Sequence, residues 1–239
     1  KSDGIPSPKV LPIQAYHDFC RYPKEMRRFH LDPSVFQLMF EKFAIHQWGL
    51  NLVDLMNAGA GWCMTGKYAR RIIFPILMNH VPVGFQARTI RDTSTAKYLT
   101  SSHGKEEDPE AECGRPAEAM LYGLDDIPPG VEIVTVEGIP DTICGRKNGL
   151  WTVGLLGTAL TPEKLGLLAR ARPSKITVAL DAERETEGVT ADIVSNLLTW
   201  GLPAASGTWQ GGKDAGSGAS LVDRSERLST TLLRRLRLS

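Results

Sequence analysis

The chain has 239 residues, 42% hydrophobic and 23% charged, enough for one large domain or two small ones with an adequate core. Its 28 Lys and Arg stand against 27 Asp and Glu, a net charge of +1. Total charge therefore announces no nucleic-acid partner, and any basic surface must be local, balanced by acidic residues elsewhere. Cys20, Cys63, Cys113 and Cys144 are too scattered for a zinc ribbon or a disulfide scaffold, and the His17–Cys20 pair has no second pair to complete a metal site. They read as buried or idle thiols in a reducing cytosol. No signal peptide is visible, and no apolar run approaches the ~20 residues of a membrane span, so no membrane partner is expected.

The first twelve residues hold three prolines and read as an irregular lead-in, followed by a mixed basic stretch over Tyr16–Phe29. Asp32 as N-cap and Pro33 at the first helical position predict a helix carrying Val35, Leu38, Met39 and Phe43 at helical spacing. Leu50–Asn57 and the glycines at 59 and 61 predict a loop or short element. Arg71–Leu77 and Val81–Ile90 read as two strands joined by a turn at Asn79-His80, with Pro75 arguing for an edge or a bulge. Ser101–Pro116 is polar and acidic and predicts a mobile surface loop or linker. Asp125–Gly130 (DDIPPG) is a turn-rich boundary.

Beyond it the pattern alternates. Strands are expected at Val131–Val136, Trp151–Leu156 and Lys175–Leu180, and a weak one at Pro203–Thr208. Between them lie a short helix or turn around Asp141–Lys147, a helix from Thr161-Pro162 to about Ala171, and a helix over Val189–Trp200. Strands alternating with helices give βαβ units and a mainly parallel sheet. Asp223–Leu238 reads as a helix with leucines among arginines. The expected organisation is a smaller α+β basic part over 1–125, an α/β part over 126–222 and a helical tail over 223–239.

Acidic residues fall where strands end. Glu137 follows the first strand of the α/β part, Asp181 and Glu183 the third, and Asp214 sits in the Gly-rich Gly211–Gly218. Ligands of open parallel sheets bind outside the carboxyl ends of the strands. Carboxylates gathered there repel one another unless a cation compensates them. Asp141, four residues after Glu137, can point back at the same place, and Gly138 leaves room for close backbone approach. Mg2+ takes one or two carboxylates, waters and phosphate oxygens, so the pattern reads as a divalent-metal site that handles phosphates. Any one of these residues alone is as readily a helix cap or a solvated turn. A basic set, Arg70, Arg71, Arg88, Arg91 and Lys97 with Tyr98 beside it, lies on or near the central hairpin. Such groups neutralise phosphates and stack bases, or form a solvated face.

The motifs, in order, are Arg70–Ile76 (RRIIFPI), Val83–Arg88 (VGFQAR), Ala96–Leu99 (AKYL), Leu121–Gly123 (LYG), Val136–Asp141 (VEGIPD), Leu156–Thr158 (LGT), Leu180–Glu183 (LDAE) and Lys213-Asp214. Together they resemble the catalytic core of bacterial-type DNA primases with its Toprim metal domain, over about residues 68 to 218. The resemblance implies an α/β fold: a Toprim-type mainly parallel sheet flanked by helices, preceded by a smaller α+β basic subdomain. It implies metal-dependent synthesis of short RNA primers on single-stranded DNA. Glu137, Asp181 and Glu183 would be catalytic. Glu137, Asp141, Asp181, Glu183 and Asp214 would hold Mg2+ or Mn2+. Arg70, Arg71, Arg88, Lys97 and Tyr98 would contact nucleotide or DNA. Ribonucleoside triphosphates, a single-stranded DNA template and a replicative helicase are the implied partners, in the cytoplasm of a bacterial or phage-infected cell. Glu183 replaces the family's second aspartate, and Gly216 stands where a further aspartate often lies. No zinc-binding module or helicase motor is recognisable, which suits a phage or plasmid enzyme or a fragment of a larger primase. A Toprim nuclease or topoisomerase-like enzyme, and a non-catalytic single-stranded-DNA-binding module, are the alternatives at this stage.

Overall fold

The computed structural model describes residues 19–91, 96–105, 107–181, 186–212, 214–215 and 220–223. The proline-rich lead-in and the tail helix beyond Asp223 lie outside the described residues. The described chain divides into two units, one running to Asp125 and the other starting at Asp126.

The first unit is built on an antiparallel sheet. Its strands, β1 (Arg27–Arg28), β2 (Gly61–Cys63), β3 (Arg71–Met78), β4 (Val81–Thr89) and β5 (Tyr98–Thr100), follow one another in chain order. Helices α1 (Val35–Trp48) and α2 (Leu52–Asn57) interrupt it. The cap of α1 is Ser34 rather than the expected Asp32: its Oγ accepts the Gln37 N–H at 3.3 Å, so Pro33 stays outside the helix. A serine two residues closer to the apolar stripe reaches the third N–H, which fixes the start. Gly49, at φ +68°, ends the helix. Asn51 and Asp54 cap each other's backbone N–H, and α2 is the short element that the sequence allowed beside a loop. Phe40 of α1 stacks on Trp62 with ring centroids 5.2 Å apart, and Trp48 meets Phe74 edge-on at 6.0 Å. These aromatic contacts attach the helix to β2 and β3.

The hairpin closes from Met78 to Val81 through Asn79 and His80, both left-handed at φ +53° and +60°. This is a two-residue loop whose twist matches its strands. Asp125 accepts the N–H groups of Asn79 and His80 at 3.0 and 2.6 Å. Pro75 does not mark a sheet edge, since β3 lies mid-sheet. However, β2 pairs only with Arg71–Ile73, and the β3–β4 register shifts between Ile76 and Leu77. Pro75 therefore sits where one side of β3 has lost its partner strand and a bulge begins, and no ladder donor is needed there. The acidic segment Ser101–Pro116 lies within the first unit rather than between the two, and its described ends are anchored there, while Lys105 and residues 107–110 are exposed as a surface loop. Ser101, Cys113 and Arg115 are buried, and Glu112 accepts from Tyr68 Oη, from Lys67 Nζ at 3.0 Å and from the Ser102 N–H at 2.8 Å. Glu112 thereby clamps it to the connection between β2 and β3, which composition alone does not reveal.

The second unit carries the sheet order β10-β9-β8-β6-β7: β6 (Glu132–Val136), β7 (Thr152–Gly154), β8 (Lys175–Val178), β9 (Ala204–Gln210) and β10 (Ser220–Asp223). All neighbours are parallel except β10, which pairs antiparallel to β9. Residues 133–136 and 176–178 are buried without alternation, as expected for parallel strands covered on both faces. Helices α3 (Ile139–Lys147), α4 (Pro162–Arg170) and α5 (Thr186–Thr199) connect them. Thr161 caps α4 as expected, accepting the Lys164 N–H at 3.3 Å. The strand expected over Trp151–Leu156 is shorter, because the backbone turns left-handed at Leu156 (φ +59°). No helix among the described residues is long and apolar enough to cross a membrane.

Helix α3 lies close on β7. A Cβ at Gly145 would stand 2.3 Å from Thr152 Cγ2, while Thr152 Oγ1 donates to the Thr142 carbonyl at 2.6 Å. Gly145→Ala is expected to cost about 1–3 kcal/mol through overpacking, seen as a lower Tm. Adding Thr152→Ser, which removes Cγ2 and keeps the hydroxyl, should recover part of that loss.

Candidate metal centre

In the second unit the chain leaves β6 through α3 toward β7 on one side, and leaves β8 through α5 toward β9 on the other. The carboxyl ends of β6 and β8 thus flank a switch point, where the diverging connections open a crevice. Glu137 stands one residue past β6, and Asp181 three residues past β8. Asp214 lies in the connection from β9 to β10, and Asp141 in the first turn of α3. A carboxylate oxygen from each of Asp141, Asp181 and Asp214 lies within 4.8 Å of the others. Glu137 serves the cluster differently: its Oε1 accepts the Asp181 N–H at 3.3 Å, tying the end of β6 to the segment that leaves β8. Glu183 lies outside the described residues, as do Lys213 and Gly216.

Four further groups hold this arrangement, and the sequence did not single out three of them. Gly138 makes room within the cluster itself. A Cβ there would stand 2.9 Å from Asp141 Oδ2, so the missing side chain makes room for the carboxylate. The Trp209 indole N–H donates to the Ala179 carbonyl at 3.1 Å, fixing β9 to the segment that leads to Asp181. The Ala179 N–H donates to Thr135 O at 2.9 Å and continues the β8–β6 pairing toward the site. Lys164 is buried, and its Nζ donates to Leu155 O at 2.6 Å and Ala159 O at 3.2 Å. The loop it grips presents the Gly157 N–H to the Glu137 carbonyl at 3.2 Å. A lone lysine in the apolar stripe of α4 was the available signal for this role.

Burial pushes the Asp141 carboxyl up to about 6, and the neighbouring Asp214 and Glu137 charges add to the rise against backbone N–H groups that oppose it. A divalent cation reverses that logic by compensating the gathered charge. The donors are hard carboxylate oxygens converging on one point, a set that suits Mg2+ or Mn2+ and not a thiophilic metal. The cluster can therefore hold a divalent cation, with Asp141, Asp181 and Asp214 as protein ligands.

The basic set lies in the first unit. Arg71 is buried on β3, and its guanidinium donates to the carbonyls of Ala87, Lys97 and Ala96 at 3.2, 3.2 and 3.0 Å. Arg88 is buried on β4, donates to Thr89 O at 2.8 Å, and lies over the rings of Phe43 and Tyr98 at 5.4 and 5.2 Å. Burial, then the nearby Arg88 charge, lower the Arg71 pKa. Among the described residues no carboxylate forms an ion pair with either guanidinium. Arg70, Lys97 and Tyr98 are exposed beside them.

Without metal, Asp141 binds its proton more tightly folded than unfolded, so stability is expected to fall as pH rises from about 4 to about 6. Added Mg2+ should offset that fall above pH 6. Asp214→Asn removes one neighbouring charge and should lower the Asp141 pKa, measured by NMR titration of its carboxyl carbon. An unmoved pKa would mean the two groups do not face each other.

No protein-family model matches the chain. A DNA primase of Deinococcus radiodurans is 36% identical over 124 residues, covering 49% of this chain and 20% of that protein. A DNA primase of Helicobacter pylori strain J99 is 32% identical over 157 residues, covering 59% of this chain and 26% of that protein. The chain thus spans about a fifth to a quarter of the length of the curated relatives it matches. Among solved structures, the DnaG primase catalytic domain bound to single-stranded DNA superposes with a TM-score of 0.64 at 18% identity, over 85% of this chain and 73% of that one. The RNA polymerase domain of Mycobacterium tuberculosis primase DnaG gives 0.63 at 17% identity, over 77% and 72%. The E. coli primase catalytic core gives 0.55 at 21% identity, over 80% and 66%. The chain carries the α/β fold of the bacterial-type DNA primase catalytic core, and about half of its sequence is similar to DNA primases.

Proposed function

We propose that this chain is the catalytic core of a DNA primase, its second unit a Toprim-type metal domain, and that it joins ribonucleotides into short primers on single-stranded DNA. The observation that carries this reading is the convergence of Asp141, Asp181 and Asp214 at the switch point of the parallel sheet. In such a reaction the 3′-hydroxyl of one nucleotide attacks the α-phosphate of the next and pyrophosphate leaves. Bound Mg2+ or Mn2+ supplies charge compensation for the attacking and leaving oxygens. Asp141, Asp181 and Asp214 would hold it, joined by Glu183. Glu137 keeps Asp181 aligned through its backbone N–H and stands beside the site as a further metal-binding or proton-accepting carboxylate.

In the first unit, Lys97, Arg70 and Tyr98 are the groups with exposed faces for template or triphosphate. Arg71 and Arg88 shape the strand ends beneath them and add positive potential that an approaching phosphate would neutralise. Single-stranded DNA, ribonucleoside triphosphates and a replicative helicase are the partners of this reading, and the bacterial or phage-infected cytoplasm is its place.

Labelled ribonucleotides supplied with a single-stranded DNA template and Mg2+ or Mn2+ should yield short products. Asp181→Asn should reduce them at least about 100-fold, through several kcal/mol of lost transition-state charge stabilisation, with the fold intact by circular dichroism. Retained synthesis in that variant would remove the metal-site argument. Metal-dependent cleavage of the template without ribonucleotide incorporation would replace primer synthesis by nuclease action. Lys97→Ala should weaken DNA binding and reduce the log–log salt slope by about 1. An unchanged slope would put Lys97 on a solvated face.

A further inference from the structure

Cys20 and Cys113 face each other across a short antiparallel contact in the first unit. Two hydrogen bonds bracket them: the Arg21 N–H donates to Glu112 O at 2.7 Å, and the Gly114 N–H to Phe19 O at 3.4 Å. Bonds on either side, with none between the facing residues, mark a non-hydrogen-bonded antiparallel pair. In such pairs the two Cα atoms are about 4.5 Å apart and the side chains project from the same face. A disulfide accepts Cα separations of about 4.4–6.8 Å. Closing a bond between these thiols therefore asks for side-chain rotation and little backbone movement.

We propose that Cys20 and Cys113 form a dithiol site that a small disulfide oxidant converts to an intramolecular disulfide, bonding the segment at Phe19–Arg21 to the loop that carries Glu112. Cys20 is half-buried and is the sulfur an outside reagent reaches, whereas Cys113 is fully buried. With glutathione disulfide, the Cys20 thiolate attacks one sulfur of the oxidant, the S–S bond breaks, and the first glutathione leaves and takes up a proton. The Cys113 sulfur then attacks Cys20 in the mixed disulfide and releases the second glutathione. The protein loses two electrons and two protons, and both appear in the two glutathione thiols. Before closure, the Cys113 S–H has the Arg115 and Ser102 carbonyls as acceptors at 3.0 and 3.4 Å, and its sulfur accepts from Ser101 Oγ at 3.3 Å. Those contacts hold the reduced form.

Burial pushes the Cys20 thiol up to about 12, with the adjacent Cys113 and Glu112 adding to the rise. Burial thus keeps the thiol protonated and exchange slow near neutral pH, and exchange accelerates as pH rises, because the thiolate is the nucleophile. The loop so fixed carries Glu112, which binds Lys67 and Tyr68, so closure would reinforce that clamp. Cys63 lies in the same core cluster as Cys20, and Cys144 belongs to the other unit. They serve as internal comparisons.

The test is incubation of the full chain with glutathione disulfide at pH 8.5, blocking of remaining thiols with iodoacetamide, and peptide mapping by mass spectrometry without reduction. The expected result is a Cys20–Cys113 cross-linked peptide, with Cys63 and Cys144 alkylated. A Tm higher by about 10 °C, reversed by dithiothreitol, should accompany it. Cys113→Ser should stop at a stable glutathione adduct on Cys20, and Cys20→Ser should give no cross-link. A permanent glutathione adduct on Cys20 in the unaltered chain, a Cys20–Cys63 cross-link, or four free thiols after treatment would each overturn the proposal. The outcome is independent of whether the chain makes primers.

Discussion

Repulsion among carboxylates governs the second unit. Asp141, Asp181 and Asp214 come from three separate stretches of chain, yet their oxygens meet within 4.8 Å. Left alone, such a cluster pushes apart or takes up protons; at Asp141 burial raises the pKa first, and the neighbouring Asp214 and Glu137 charges add to it. What holds it is the hydrogen-bonded framework behind it: the parallel register of β6 with β8, the Trp209 indole on Ala179 O, and the Asp181 N–H on the Glu137 carboxylate. The sheet supplies the rigidity, and the gathered charge is the electrostatic strain that a cation relieves. This division of labour, a stiff scaffold holding an unfavourable arrangement, is the usual way a binding site is prepared in advance.

The first unit shows the opposite charge under the same principle. Arg71 and Arg88 are neighbours in a paired register, Ile72 against Arg88 and Arg71 against Thr89, and both are nearly withdrawn from water. Carbonyl oxygens and aromatic rings satisfy their geometry without cancelling their charge. The result is a positive sheet end fixed in place, with more loosely held cations around it. In a chain of net charge +1 the two signs are mixed over both units, so the cations at this sheet end and the carboxylates at the other sheet are local clusters.

Much of this was legible in the sequence because it rests on local rules. The βαβ alternation, the Thr161-Pro162 start of α4 and the turn at Asn79-His80 each follow from residues that sit side by side. The acids were legible because strand ends and acidic residues coincide. What escaped was set at long range. The clamp on Ser101–Pro116 depends on Lys67 and Tyr68, more than forty residues earlier. Strand β10 exists only as a partner of β9, and the grip of Lys164 depends on a loop whose shape the sequence does not announce. The cap of α1 went to Ser34 rather than Asp32 because the decisive quantity was reach to one N–H, not residue type.

The strand order of the second sheet also sets a schedule for synthesis of the chain. β6 can pair with β7 as soon as both have emerged, but its other neighbour, β8, begins at Lys175, and β9 follows only at Ala204. Contacts between distant stretches form slowly, because loop closure must precede them. A nascent chain arrested before residue 181 would hold Asp141 and Glu137 but neither Asp181 nor Asp214, and so carry only part of the gathered charge. The electrostatic strain enters last, after most of the core that must bear it has been laid down.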